Sequence, residues 1–115
     1  MARPEFLQDE AFRSLRAGDI AAFHEQIEGR DVVDFTGADL RAVDMRKVDI
    51  SKMILRGAYL RDADLRGVDL RNKDLEGCTF LRARVSGTFF PPQLSAQELR
   101  NSVDLGTRVR MTGLA

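Results

Sequence analysis

The sequence predicts an all-β solenoid, and the first observation behind this prediction is a five-residue repeat. From Val33 to about Phe90, the units share one frame: a small apolar residue, Asp, a large apolar residue, a polar residue, and a small or turn-forming residue. The frame runs without insertion and weakens after Asn72. A fixed period of this kind indicates a protein built from stacked repeats.

The second observation is that the third position of each unit is large and apolar. A period of five moves side chains around a helix of 3.6 residues per turn, and it does not match the two-residue alternation of an ordinary strand. We therefore expect these residues to fill the interior of the solenoid. The predicted repeat core consists of Phe35, Leu40, Met45, Ile50, Leu55, Leu60, Leu65, Leu70, Leu75, Phe80, Val85 and Phe90.

The repeat units resemble those of a known family. Units such as ADLRA at 38–42 and ADLRG at 63–67 are similar to the A(D/N)LXX motif of the pentapeptide-repeat family, and the resemblance covers residues 33 to about 90. It suggests a short bacterial member of that family. It also implies a right-handed quadrilateral β-helix with four units per coil, in which residues twenty apart lie one above another.

The repeat region is long enough for about three coils. At the usual strand spacing of about 4.8 Å, these coils would form a rod roughly 15 Å tall, with backbone hydrogen bonds between coils. Both ends of such a rod expose unpaired backbone groups and apolar side chains, so both ends need a cover. We expect one domain with three parts: an N-terminal helical cap at 1–30, the β-helix at 31–92, and a C-terminal helix and tail at 93–115.

The N-terminal part reads as two short helices within residues 4–28. Pro4 suits the first turn of the first helix, and Asp19 is a good N-cap for the second, which stops at Gly29. Apolar residues recur at helical spacing in both segments. Their apolar faces are expected to cover the end of the solenoid at Val33 and Phe35.

The C-terminal part begins where Pro91 and Pro92 end the repeat, because neither residue can donate a ladder hydrogen bond. Ser95 is expected to cap a helix over 96–103, with Glu98 as its capping-box partner. Apolar residues of this part would close the second end: Leu94, Leu99, Val103 and Leu105. The tail at 107–112 alternates polar and apolar residues, and it is expected either to add an edge strand or to pair with a second chain.

Composition limits the classes of function. Eighteen basic and eighteen acidic residues balance, so the chain as a whole is neither a basic nucleic-acid binder nor an acidic mimic of nucleic acid, and we expect no direct binding to nucleic acid. No apolar run approaches the roughly 18 residues that would span a membrane. A single cysteine allows no disulfide within the chain, which favours a reducing cytosol, and we expect a cytoplasmic protein.

No motif indicates catalysis, a metal or a cofactor, and we expect none of them. His24 is the only histidine, and no cluster of metal-ligating residues surrounds it, so it is expected to be a surface or cap residue. Cys78 falls on a small inward position, where we expect a buried apolar residue rather than a reactive thiol. Lys73 occupies another inward position, and its ammonium is expected to reach out of the last coil.

The outward positions are mostly charged, with Asp at the second position and Arg at the fourth. Stacking at intervals of twenty brings like charges together, as for Asp44 and Asp64, and we expect the neighbouring ladders of opposite sign to neutralise them. Five outward positions depart from this frame: Ile54, Tyr59, Thr79, Leu81 and Phe89. They are the candidate interface, because outward apolar residues mark contact with something. The occupant would be a partner protein, a second copy of the chain in a homodimer, or the chain's own terminal segment.

Two main functions follow. The first is a non-catalytic protein-binding or scaffold module that presents the walls of a short β-helix to an unidentified protein partner. The second comes from the resemblance, because some pentapeptide-repeat proteins of the quinolone-resistance group bind DNA gyrase by mimicking duplex DNA. Here basic residues slightly outnumber acidic ones between residues 34 and 90, and the rod would match only about four to five base pairs. A third possibility places the function in the helical cap or the tail.

Overall fold

A computed structural model describes residues 3–113, so Met1, Ala2, Leu114 and Ala115 of the predicted terminal segments lie outside the described residues. Two helices come first, α1 at Glu10–Arg16 and α2 at Ile20–Ile27. Two short strands follow, β1 at Val33–Asp34 and β2 at Met53–Ile54, and the helix α3 at Ala96–Leu105 completes the order of elements.

The repeat region forms a β-helix solenoid, as the sequence predicts, with a register of twenty residues. Strands β1 and β2 pair in parallel with Val33 opposite Met53. Bridges of single residues continue this register around the solenoid, for example from Asp39 to Tyr59 and from Tyr59 to Thr79. The strands are short because the chain turns a corner every five residues. The register stacks every fourth unit, and we call the stacked surface that contains 38–42, 58–62 and 78–82 wall B.

The large third-position residues occupy the interior. Ten of the twelve, from Phe35 to Phe80, are buried with at most 9% of their surface exposed. Val85 and Phe90 are half-buried against the same core, and the Phe90 ring meets the Phe80 ring edge-on at 5.9 Å between centroids. The interior is thus a continuous apolar column from the first unit to the last.

Second-position aspartates hold the turns of the repeat. The Asp44 carboxylate accepts a hydrogen bond from the backbone N–H of Arg46 at 3.0 Å and another from the Arg46 guanidinium at 3.0 Å. The same pairing recurs at three other units: Asp39 with Arg41, Asp64 with Arg66, and Asp69 with Arg71. Neutralisation therefore occurs mainly within a unit, and Arg46 adds an ion pair across the stack to Asp64 at 3.2 Å.

The corners require left-handed backbone at the fifth position. Glycine supplies it in several units, such as Gly57 with φ of 70°. On wall B, however, the three stacked corner residues are Ala42, Asp62 and Arg82, with φ of 63°, 60° and 56°. A side chain in this region costs about 1 kcal/mol, so stacking on neighbouring coils must hold these corners in place.

Helices α1 and α2 cover the N-terminal end. Phe12 of α1 and Phe23 of α2 are fully buried, with ring centroids 5.6 Å and 6.3 Å from the Phe35 ring. The first helix begins at Glu10 with Asp9 as its N-cap, so the prediction that it starts near Pro4 is wrong. The reason is that Glu5 instead forms a parallel bridge with Ala38 and extends the sheet of wall B.

Side chains of the N-terminal cap also satisfy backbone groups at this end. Arg16 donates hydrogen bonds to the carbonyls of Asp39 and Arg41 at 3.0 Å and 2.8 Å. The Nε2 atom of His24 accepts a hydrogen bond from the backbone N–H of Asp49 at 2.9 Å. His24 therefore links the N-terminal cap to the first coil by a hydrogen bond. Its position in a helix of the sequence did not indicate this role.

Helix α3 covers the C-terminal end. Ser95 is its N-cap, as predicted, and Gly106 ends it with φ of 78°. The capping box is only half formed, because the Glu98 carboxylate accepts from the backbone N–H of Arg110 instead of returning to Ser95. Leu94 is buried, whereas Leu105 has 73% of its surface exposed, so the prediction that Leu105 closes the core is wrong.

Lys73 interrupts the ladder between coils. Its ammonium does not reach out to water as predicted. It turns back and donates hydrogen bonds to the carbonyls of Met53 and Ser51 at 2.9 Å and 3.2 Å, and burial lowers its pKa. Two neighbouring stacked pairs beside it lack the bridges seen around the rest of the solenoid, namely 49 with 69 and 54 with 74. The lysine ammonium thus takes a carbonyl, that of Met53, which the backbone ladder would otherwise use.

Candidate protein-binding site on wall B

A groove of about 240 Å³ opens on the outer surface of wall B. Three of the predicted interface residues line it, namely Tyr59, Thr79 and Leu81. The remaining lining comes from Pro4, Arg41, Arg61 and Gly106. The groove therefore combines the repeat wall with residues from both covers.

The twenty-residue register brings the three predicted residues together. Tyr59 forms a parallel bridge with Thr79, and the carbonyl of Leu81 accepts from the backbone N–H of Asp62 at 2.9 Å. All three side chains are half-buried. Since the repeat otherwise places charged or polar residues at these outward positions, the groove has an apolar, aromatic floor.

The chain's own tail covers part of this floor. The Arg108 guanidinium lies 5.0 Å from the centroid of the Tyr59 ring and donates a hydrogen bond to the Tyr59 hydroxyl. Thr79 forms an antiparallel bridge with Arg108, and Leu81 packs beside Gly106 at the end of α3. The terminal segment is thus one occupant of this surface. The groove is the part of the surface that the segment does not cover.

The charged groups around the groove carry a positive excess, because two carboxylates are shared among a larger number of arginines. Arg41 binds the Asp39 carboxylate at 2.8 Å, and this hydrogen bond holds the pKa of Asp39 below its usual value. Asp62 pairs with Arg82 at 3.1 Å and with Arg61 at 3.5 Å, and the hydrogen bond from Arg82 lowers the pKa of Asp62. The groove therefore combines an apolar, aromatic floor with a basic rim.

The other two predicted interface residues lie elsewhere. Ile54 is in β2 on the neighbouring wall, with 40% of its surface exposed. Phe89 has 53% of its surface exposed and carries the Arg71 guanidinium 4.9 Å from its ring centroid. Neither residue lines the groove, so the five predicted residues do not form one continuous surface.

Sequence reasoning missed five residues that line or border the groove: Pro4, Arg41, Arg61, Gly106 and Arg108. Pro4 reaches it because the segment before α1 runs along wall B, and Arg108 reaches it because the tail crosses the open edge. Arg41 and Arg61 obey the repeat frame, so nothing in the frame distinguishes them from the other fourth-position arginines. The only signal in the sequence was the twenty-residue register, which stacks Thr79 on Tyr59 and Leu81 on Arg61.

Groups with possible chemistry lie apart from this groove. Cys78 is fully buried, donates to the Leu55 carbonyl at 2.9 Å, and has its pKa raised by burial to about 12. A thiol in this state is not a nucleophile at neutral pH. Within residues 3–113, no cluster of His, Cys, Asp and Glu side chains could hold a metal ion. Helices long and apolar enough to cross a membrane are likewise absent from those residues.

Comparison with known proteins identifies the repeat. A family model described as pentapeptide repeats matches residues 33–62 and 58–90, with eight copies. The two matches together span half of the chain and coincide with the β-helix. No curated protein matches the chain.

Proposed function

Because the chain belongs to the pentapeptide-repeat family, we propose that it is a non-catalytic protein-binding module that presents one wall of its β-helix to a protein partner. The observation that carries this proposal is the groove of wall B. Three residues that depart from the charged frame of the repeat meet there, beside the arginines of the rim. Exposed apolar surface bordered by polar groups is typical of protein interaction sites.

The finer architecture belongs to this proposal. We place the groove on a right-handed quadrilateral β-helix of about three coils, closed by helices at both ends. The twenty-residue bridges support four units per coil, and the buried contacts of Phe12 and Leu94 support a cover at each end. A short, closed solenoid offers a rigid surface, which lowers the entropic cost of binding.

The partner is proposed to be a protein in the cytoplasm. The single cysteine supports a reducing compartment, and the even balance of charge argues against direct binding to nucleic acid. A homodimer is a second form that the same apolar surface would allow. The buried thiol and the paired carboxylates support a role without catalysis.

The charge of the walls does not favour mimicry of DNA. Between residues 34 and 90, Arg and Lys outnumber Asp and Glu by eleven to nine. A mimic of duplex DNA needs a strongly acidic surface, because the duplex carries one negative charge per about 1.7 Å of its axis. Regulation of DNA gyrase therefore lacks electrostatic support.

A steric block of the groove tests the proposal. Arg61 lines the groove and has about half of its side chain exposed, so Arg61→Trp should fill the groove without altering the core. Arg84→Trp, at an exposed position on another wall, is the matched control. Both variants and the wild type would be used for affinity capture from a lysate of the organism that carries the protein, with captured proteins identified by mass spectrometry.

We expect a partner that the wild type and Arg84→Trp capture equally and that Arg61→Trp loses by at least about tenfold, which corresponds to about 1.4 kcal/mol of binding free energy. Circular dichroism would show that each protein is folded. Equal capture by all three folded proteins would rule out the groove as the binding site.

A further inference from the structure

Residues 107–112 lie as an extended segment on the open C-terminal edge of the solenoid. The backbone N–H of Gly77 donates to the Val109 carbonyl, and the Val109 N–H donates to the Cys78 carbonyl, both at 2.9 Å. The Met111 N–H donates to the Glu76 carboxylate at 2.7 Å. This pattern is the addition of a strand to an exposed sheet edge, which is also how many domains bind extended peptides.

Two side chains of the segment enter defined positions. Val109 is fully buried, so the edge contains a pocket for one apolar side chain. Arg108 lies over the Tyr59 ring and donates to the Gly77 carbonyl at 2.8 Å. Within residues 3–113, no carboxylate lies within 4.0 Å of its guanidinium. The edge thus holds an arginine through the ring and hydroxyl of Tyr59 and one backbone carbonyl, and it holds the apolar residue that follows in a pocket.

Hydrogen bonds rather than burial hold the rest of the segment: the Arg110 N–H donates to the Glu98 carboxylate at 2.7 Å, and the Thr112 N–H donates to the Gln93 carbonyl at 2.9 Å. Thr107, Arg108, Arg110 and Thr112 are exposed, and Met111 is half-buried. Gly106, in the left-handed conformation with φ of 78°, joins the segment to α3. Because only Val109 is fully buried, the segment can leave the edge at a smaller cost than any coil of the solenoid.

We propose that the edge at 75–79, together with the Tyr59 ring, binds an extended segment of a partner protein in which an apolar residue follows an arginine, and that residues 107–112 occupy this edge in the free protein. The inference rests on the proposed function, because Tyr59 and Thr79 belong both to the edge and to the groove of wall B. The partner segment pairs with Cys78, places its apolar side chain where Val109 lies, and displaces the tail. The tail is therefore a built-in competitor that weakens binding of the partner.

A peptide with the sequence of residues 106–113 tests the edge without the natural partner. The full chain carrying Val109→Asp should release its own tail, because an unpaired carboxylate is costly in an apolar pocket. Fluorescence anisotropy would measure binding of the labelled peptide to this variant and to the wild type. We expect the variant to bind at least about tenfold more tightly than the wild type, and a peptide with Asp in place of its valine not to bind.

A second variant guards against loss of folding. Arg108→Ser keeps the buried valine but removes the contacts with Tyr59 and Gly77, so it should show a smaller gain in peptide affinity. The proposal would be overturned if the variants are folded but bind the peptide no more tightly than they bind the Asp-containing control peptide. Analytical ultracentrifugation gives a second result that would overturn the proposal: wild-type dimers that are lost in Val109→Asp. In that case the segment bound from another molecule would be the tail of a second copy of this chain. Neither result would affect capture through the groove, which Arg61→Trp tests separately.

Discussion

At the scale of single residues, the second-position aspartate is the most repeated device in this protein. It accepts from the backbone N–H two residues later and, in four units, from an arginine side chain at that same position. The pairs at Asp44 and Asp69 are exposed, and each is worth only a fraction of a kcal/mol. The repetition matters because seven turns use the same local bond, those that follow Asp34, Asp39, Asp44, Asp49, Asp64, Asp69 and Asp74.

Lys73 departs from the repeat at an inward position. Its substitution tests whether it causes the break in the backbone ladder. Lys73→Ala restores a small inward residue, so we expect the coils to close and the Asp74 N–H to find the Met53 carbonyl that the ammonium now occupies. Hydrogen exchange at the Asp74 amide should slow by about tenfold. The Arg84 amide, which already donates to the Ala63 carbonyl at 2.9 Å, is the control. An unchanged rate at Asp74 would show that the break in the ladder has another cause.

At the scale of elements, each cover does more than shield apolar side chains, because it also supplies partners for the backbone at the open ends. The N-terminal cover provides Glu5, Arg16 and His24 for this purpose. At the other end, the Ser102 hydroxyl accepts from the backbone N–H of Phe80 at 2.8 Å, and the Val103 carbonyl accepts from Arg82 at 3.0 Å. A solenoid this short depends on such contacts, since a large share of its backbone lies at an end.

The Ser102 contact allows a test of this role. Ser102 is fully buried, so Ser102→Ala leaves the Phe80 N–H buried without an acceptor, and the free energy of unfolding should fall by about 1–3 kcal/mol. Urea unfolding followed by circular dichroism would measure it. Ser86→Ala, at an exposed position, should change stability by less than about 0.5 kcal/mol. Equal effects of the two substitutions would mean that α3 covers the end without satisfying its backbone.

The elements also show where sequence reasoning succeeds and where it stops. The period of five predicted the solenoid, its interior residues and the stacking of Tyr59 on Thr79, because those contacts are fixed by position within the repeat. Asp19 and Ser95 were predictable as helix caps because capping is local. The route of the tail was not predictable, since no period sets the distance between Arg108 and Tyr59. The hydrogen-bond acceptors of the Lys73 ammonium were not predictable either, because they lie where the regular pattern of the repeat is broken.

At the scale of the whole molecule, paired carboxylates make stability depend on pH. Hydrogen bonds from arginine side chains lower the pKa of Asp39, Asp44 and Asp64 below the ordinary value, and Arg71 lowers that of Asp69 to about 2. A carboxylate with a lowered pKa in the folded state stabilises the protein above its unfolded pKa. This contribution is lost as the pH falls through the folded pKa.

We therefore expect the free energy of unfolding to be nearly constant between about pH 5 and 7 and to fall steadily from about pH 4 to pH 2. Urea titrations at several pH values would measure it. In 1 M salt the decline should be shallower, because exposed pairs are screened. Stability that stayed constant down to pH 2 would show that the carboxylate pairs do not contribute.

Site-specific photo-crosslinking tests most directly whether wall B is the surface that meets a partner. A photoreactive phenylalanine analogue would replace Arg61 in the groove or, as the matched control, Arg84 on another wall, and each protein would be irradiated in lysate. We expect a defined adduct with another protein from position 61 and none from position 84. Adducts from position 84 alone, or equally from both positions, would contradict a partner-binding role of wall B.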